Sequence, residues 1–364
     1  MQCDDPETPE VLSSCQHLSC GCTSRRLFLR GGAALLAGAA LPAPAVMAQP
    51  AEKPFRIDVH HHYYPPELMK FWQDKHIRIS GPVKRWSLQA SLDEMDAAGV
   101  ETSIISMATG LNIPNLSVDE TRKWTRLCND YAAKARQDHK GRFGMYGFMP
   151  LPDVDATLAE IAYCLDTLKT EGIGFNTSYG DKYVGDPSFD PVLAELDRRK
   201  AVVYVHPTSP ECCSRLIPAL PASFVEYPQD TNRVVMNLLF TGALAKYRDI
   251  RWIFSHGGAA VPSLAGRVAA LAKFQIKNLD KLAPQGIPYE LSRLYYETAN
   301  AAYAPNMAAL LKIAPISQLM FGSDYPYVKV TENKKDLLSS GLKPADIQAI
   351  ARDNALRLMP SLKA

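Results

Sequence analysis

The sequence predicts an α/β fold, a single (β/α)8 TIM barrel, and three observations carry that expectation. Short apolar runs rich in β-branched and aromatic residues alternate with stretches of helical period from Phe55 to the C-terminus, the pattern of repeated βα units around a parallel sheet. Eight such units fit in about 300 residues, the length of a closed barrel, whereas a doubly wound sheet usually stops at about five to seven strands. Histidine and aspartate recur at the C-terminal ends of the strand-like runs, the face on which barrels carry their sites.

Phe55 to His60 is the first expected strand, and it runs into Ile57-Asp58-Val59-His60-His61-His62. Strict alternation puts Asp58, His60 and His62 on one face and Ile57, Val59 and His61 on the other. With the apolar set toward packed helices, the polar set faces the barrel interior, Asp58 as inward support for the two histidines. A helix over Leu88 to Ala98, a strand over Thr102 to Met107 and a long helix over Val118 to Gln137 follow, the last carrying Trp124, Leu127, Cys128 and Tyr131 at helical spacing. Phe143 to Met149 reads as the third strand. Leu158, Ile161, Leu165 and Leu168 make one stripe on a helix from Ala156 to Thr170.

The fourth strand is Gly172 to Thr177, followed by a helix over Pro191 to Arg199 and a fifth strand over Val202 to His206. Beyond it come a helix over Asp230 to Tyr247, a strand over Ile250 to His256, a helix over Val261 to Lys277 and a seventh strand over Leu294 to Ala299. Asn306 to Ile313 is helical, and Leu319 to Ser323 is the eighth strand. The long connections Tyr63 to Ser87, Leu111 to Leu116 and Thr208 to Pro228 all follow strands, on the site-bearing face.

Ahead of the barrel, Ser24-Arg25-Arg26-Leu27-Phe28-Leu29-Arg30 precedes an apolar run from Gly31 to Leu41 and a Val46-Met47-Ala48 cleavage site. This looks like a twin-arginine signal, removed after Ala48, so that residues 1–48 are a leader and 49–364 a periplasmic barrel domain. The apolar run is too short and too rich in Gly and Ala to span ~30 Å of hydrocarbon. A formal net charge of +2 with no runs of like charge points to neither nucleic acid nor an acidic membrane as partner. Cys128 and Cys164 fall at buried helix positions, and a disulfide involving Cys212 or Cys213 stays open.

The chemistry concentrates on five strand-terminal residues. They are His60 and His62, His206 in Val-Tyr-Val-His-Pro, His256 in Ile-Phe-Ser-His-Gly-Gly and Asp324 in Phe-Gly-Ser-Asp-Tyr-Pro. A lone strand-end histidine is more often structural than a ligand. Five such groups on one face of a barrel are another matter, because neutral imidazole and carboxylate suit Zn2+ or a similar divalent ion with an open coordination position. His61 points away, and His76 and His139 sit in a loop and at a helix end, so none of these three is read as a ligand.

These residues resemble the amidohydrolase superfamily, and within it the branch of metal-dependent decarboxylases that includes aminocarboxymuconate-semialdehyde decarboxylase and 6-methylsalicylate decarboxylase. The resemblance runs from Ile57 to about Leu358. Besides the strand-end motifs it is carried by Pro65-Pro66, Met95-Asp96-Ala97-Ala98-Gly99-Val100, Arg142-Phe143-Gly144, Pro262 and Arg267. It implies a barrel of the metal-dependent hydrolase type with His60, His62, His206 and Asp324 as ligands of one Zn2+, Mn2+ or Co2+ serving as substitutes. His256 becomes the unligated neighbour that acts on water at the metal, and Asp324 or His256 delivers the proton. Arg267 matches an arginine that reaches a substrate carboxylate, in some relatives across a homodimer interface, and its forked donors suit that anion. Asn300, at the end of strand seven, also faces the site.

Binuclear members usually carry a carboxylated lysine at the end of strand four, and Gly172-Ile173-Gly174-Phe175-Asn176-Thr177 offers none, Lys182 lying further along. A mononuclear centre and non-oxidative decarboxylation of a small aromatic or muconate-like acid are therefore expected. Phe71, Trp72, Trp86 and Tyr179 are candidate pocket walls. Two rivals stand beside this reading. One is hydrolysis of a lactone, ester or amide with His256 as general base; the other is a non-catalytic exported zinc-binding protein, which predicts a closed ligand set.

Overall fold

The computed structural model describes residues 55–107, 116–210, 212–213 and 216–363. The expected twin-arginine leader and its cleavage site lie outside the described residues. Eight strands form the barrel: β1 Arg56–His62, β2 Val100–Ser106, β3 Phe143–Phe148, β4 Gly172–Asn176, β5 Val202–His206, β6 Arg251–Phe254, β7 Tyr295–Glu297 and β8 Leu319–Met320. Neighbours from β1 to β8 pair in parallel. The ring closes where the chain past β8 runs beside β1: the N–H of Val59 donates to Phe321 O at 2.9 Å, that of Asp324 to His60 O at 2.8 Å and that of His62 to Tyr325 O at 2.8 Å.

Several helices begin where side-chain caps dictate. Ser87 accepts from the Ala90 N–H to start Leu88–Ala98, and Gly99, at φ 69°, ends it. Ser117 and Glu120 form a reciprocal capping box at the head of Val118–Asp138. Two helices depart from expectation. The one expected over Ala156 to Thr170 is α-helical only over Val154–Ala162 and continues as a π-helical segment, Tyr163–Leu168. The one expected from Asp230 starts earlier, as Ala222–Phe240, and carries Pro228 inside it. Short helices Pro66–Asp74 and Gly81–Lys84 occupy the connection expected to be a loop. Among the described residues, no helix is long and apolar enough to cross a membrane.

Two cores flank the sheet. One lies between strands and helices and includes the buried free thiols Cys128 and Cys164; Cys212 and Cys213 are free as well. The other gathers Ile57, Val59, Ile104, Tyr146, Val202, Tyr204, Ile253 and Met320 with Leu358 and Met359. Side chains from strands around the whole ring meet only inside it, so this second cluster is the barrel interior, stopped at its base by the C-terminal segment.

That placement corrects the expected alternation of β1. Ile57 and Val59 face inward, and Asp58 faces out, where it accepts from Ser323 Oγ at 2.6 Å and pairs with His61 Nδ1 at 3.0 Å. The β1–β2 register shifts between Asp58 and His61. Such a bulge resets the alternation by one residue, so Val59 and His60 share a face and His60 and His62 still point inward. Asp58 thus braces the β1–β8 seam instead of supporting the histidines from within.

Candidate metal centre

The five strand-end residues meet at the top of the barrel. His60 Nε2 lies 3.0 Å from His62 Nε2 and 3.3 Å from Asp324 Oδ1, which is 3.1 Å from His62 Nε2. One donor atom each from His60, His206, His256 and Asp324 falls within 4.8 Å of the others. His256, Asn300 and Asp324 hold φ values of 55°, 53° and 63°, a left-handed backbone that non-glycine residues seldom adopt and that concentrates at functional sites. Gly258, two residues past His256, leaves no room for a side chain: a Cβ there would stand 2.7 Å from the Tyr296 ring.

The hydrogen bonds fix the ring tautomers. Nδ1 of His206 meets Pro207 O at 2.9 Å, Nδ1 of His256 meets Ala299 O at 3.0 Å and Nδ1 of His62 meets Ser106 O at 3.3 Å. A carbonyl only accepts, so each Nδ1 carries the proton and each Nε2 presents a lone pair. His60 Nδ1 faces Glu297 Oε1 at 2.8 Å, with the same outcome when the carboxylate is ionised. Four Nε2 lone pairs and a carboxylate therefore converge on one spot, and His206 Nε2 is buried without a hydrogen-bond partner among the described residues. Lone pairs face one another this closely only when a cation sits among them or one ring takes a second proton, so the donor set fits a divalent ion of the kind held by imidazole and carboxylate.

The electrostatics agree. Burial pushes His60 down, but the adjacent Glu297 and Asp324 carboxylates outweigh it and raise the ring to about 10. Burial holds His206 well below its ordinary value, with His62, His60 and His256 adding to the effect. His62 is lowered chiefly by burial, against its bond to Asp324. Asp324, which burial alone would raise, is kept far below the usual carboxylate range by its bonds to His60 and His62. The centre thus stabilises positive charge between two carboxylates.

Glu297 escaped the sequence reading. It is fully buried at the end of β7, and the signal was a lone acidic residue inside an apolar strand, Tyr295-Tyr296-Glu297. A Cβ at Gly322 would come within 1.9 Å of its Oε2, so that glycine makes room for the carboxylate. Asn300 acts on Asp324, its Nδ2 donating to Oδ2 at 2.9 Å.

Other candidates land elsewhere. Arg267 is exposed on helix Val261–Gln275 and makes no hydrogen bond or ion pair among the described residues. His61 faces away, between Asp58 and Ser91 Oγ. Lys182 is exposed and bonds Ser188. Phe71 packs on Trp124, Trp72 and Trp86 pack on Tyr64, and the Tyr179 hydroxyl accepts from the Asn176 N–H. The recess beside His206 is lined instead by Met107, Phe148, Phe175, Asn176 and Tyr204.

A closed parallel barrel with a His/Asp cluster at its C-terminal face defines a TIM-barrel protein with a candidate metal site. The chain belongs to the amidohydrolase family, whose model, described as Amidohydrolase, matches residues 57–360. It is 34% identical to the decarboxylase yanB of Aspergillus niger over 84% of this chain and 87% of that protein. Its identity to the 6-methylsalicylic acid decarboxylase acuB of Aspergillus aculeatus is 31%, over 85% of this chain and 97% of the relative. A dihydroxybenzoic acid decarboxylase from Polaromonas, solved with bound manganese and the inhibitor 2-nitroresorcinol, shares the fold at a TM-score of 0.74 and 18% identity, covering 85% of this chain and 98% of that one.

Proposed function

We propose that this protein is a metal-dependent, non-oxidative decarboxylase of a 2-hydroxybenzoic acid, holding one divalent ion, Zn2+ by its donor set, on His60, His62, His206 and Asp324. The observation that carries the reading is the convergence of Nε2 lone pairs on Asp324, with each Nδ1 committed elsewhere. Kinship with decarboxylases, among them one that acts on 6-methylsalicylic acid, supports the reaction class.

When bound, the ion supplies Lewis acidity to the substrate carboxylate and the hydroxyl next to it. His60 and His62 are held by Glu297 and Ser106, so their rings cannot swing away from the acid. Loss of CO2 leaves an electron pair on the ring carbon, which must take up a proton. Asp324 is engaged on both oxygens, Oδ1 by the histidines and Oδ2 by Asn300. His256, half-buried, with Nδ1 fixed on Ala299 O and Nε2 uncommitted, is the better proton carrier.

The face of helix Val261–Gln275 that carries Arg267 also presents Phe274, 88% exposed, and Leu271, which supports a homodimer formed there. The Arg-Arg motif ahead of the barrel supports export to the periplasm. The deciding experiment combines metal analysis of the purified protein with a panel of 2-hydroxybenzoates and lactones. Expected are one divalent ion per chain and CO2 release that His256→Gln abolishes while keeping the ion; turnover of lactones alone would sink the reading in favour of a hydrolase. Light scattering and cell fractionation check the dimer and the export.

A further inference from the structure

We propose that Tyr327, oriented by Tyr64, is a positioning residue that donates a hydrogen bond to the anionic acid at the metal centre; this rests on the decarboxylase reading above. Tyr327 is tied down at three points. Its N–H donates to the Asp324 carbonyl at 2.9 Å. Its ring stands edge-on to the His62 ring, with centroids 5.7 Å apart and planes at 75°. Its hydroxyl lies 2.8 Å from that of Tyr64.

The two phenols are not equivalent. Tyr64 is 2% exposed and packed against Trp72 and Trp86, and a buried hydroxyl proton left unpaired is costly. Among the described residues its one partner is the Tyr327 oxygen, so Tyr64 donates and Tyr327 accepts. Tyr327, 41% exposed beside His62, keeps its own proton for a third group, and a hydroxyl that already accepts becomes a stronger donor. At the rim of a centre built for a carboxylate, that third group is the carboxylate or the ortho-hydroxyl oxygen of the acid. The aromatic packing beneath Tyr64 gains a purpose in this arrangement, since it fixes the direction of the relay without touching substrate.

The test uses the metal-loaded protein with 6-methylsalicylate for turnover and 2-nitroresorcinol as a non-reacting probe for equilibrium binding. Tyr327→Phe is expected to raise both the KM and the probe Kd by about 10-fold or more, as for a lost bond to a charged acceptor, with metal content unchanged. Tyr64→Phe should give a smaller rise, and the double variant should match Tyr327→Phe alone, because Tyr64 acts only through Tyr327. Wild-type binding with Tyr327→Phe within twofold of it would overturn the proposal, as would independent, multiplying effects of the two substitutions. Failure of the wild-type protein to bind the probe or turn over any hydroxybenzoate would instead overturn the decarboxylase reading, and this one with it.

Discussion

Glu297 Oε1 stands 2.8 Å from His60 Nδ1 with both side chains fully buried, and the same carboxylate accepts from the N–H groups of His256 and Ala299 at 2.7 and 2.6 Å. One acidic group therefore sets the aim of a proposed ligand ring and the backbone of its neighbour. Glu297→Gln keeps the shape and removes the charge. Metal affinity should fall about 10- to 100-fold, the usual cost of losing such an outer partner, as read by competition with a chromophoric chelator. Unchanged affinity would mean that Glu297 serves only the backbone.

Gly322 defines the space that Glu297 fills. An added methyl would meet Glu297 Oε2 at 1.9 Å and His60 Cβ at 2.9 Å. Gly322→Ala should destabilise the fold by about 3 kcal/mol, at the upper end of overpacking costs, and weaken metal binding in parallel. Urea denaturation with and without metal separates the two effects.

The raised His60 gives a signed pH dependence. Its value of about 10 against the ordinary 6.5 means that protonation favours the metal-free fold. That contribution is complete below about pH 6.5 and is lost as pH rises toward 10. Thermal melts of metal-free protein should weaken across this window, and those of the metal-loaded form should not, because the ion replaces the proton. Near pH 7.5, metal uptake should release about one proton from this ring. Calorimetry in buffers of different ionisation heat measures it, and zero release would contradict the assignment of His60 as a ligand.

Asp230 is fully buried in helix Ala222–Phe240 and accepts from the hydroxyls of Thr177 and Tyr183 and from the N–H of Thr208. Those partners sit just beyond β4 and β5, so Asp230 ties two strand ends together two residues from His206. Asp230→Ala leaves several buried donors without an acceptor and should cost about 2–3 kcal/mol. Turnover should fall as well, since the loop carrying His206 loses its anchor; chemical denaturation and steady-state kinetics report the two losses separately.

The ligand-type residues were legible because barrel topology alone sends His60, His62, His206, His256 and Asp324 to one face. What alternation could not supply was the bulge between Asp58 and His61, which no glycine or proline marks and which reversed the facing of Ile57, Val59 and Asp58. Glu297 stayed hidden because a three-residue strand, Tyr295–Glu297, offers no period from which to read a facing. The role of Asn300 depends on its left-handed backbone, φ 53°, which turns the side chain onto Asp324. The connection expected to run to Pro228 is helical from Ala222 onward, with the proline inside the helix.

The seam between β1 and the chain past β8 has a bearing on biosynthesis. His62 and Asp324 lie 262 positions apart yet touch at 3.1 Å, and the backbone bonds that close the ring join the same two segments. A ribosome emitting this chain releases the first two imidazoles long before their carboxylate exists. On the proposed ligand set, high-affinity ion capture awaits the final strand, so metal occupancy would be a chemical receipt for a finished barrel. C-terminal truncations ending before Asp324 would carry three of the four proposed ligands and still fail to retain the ion.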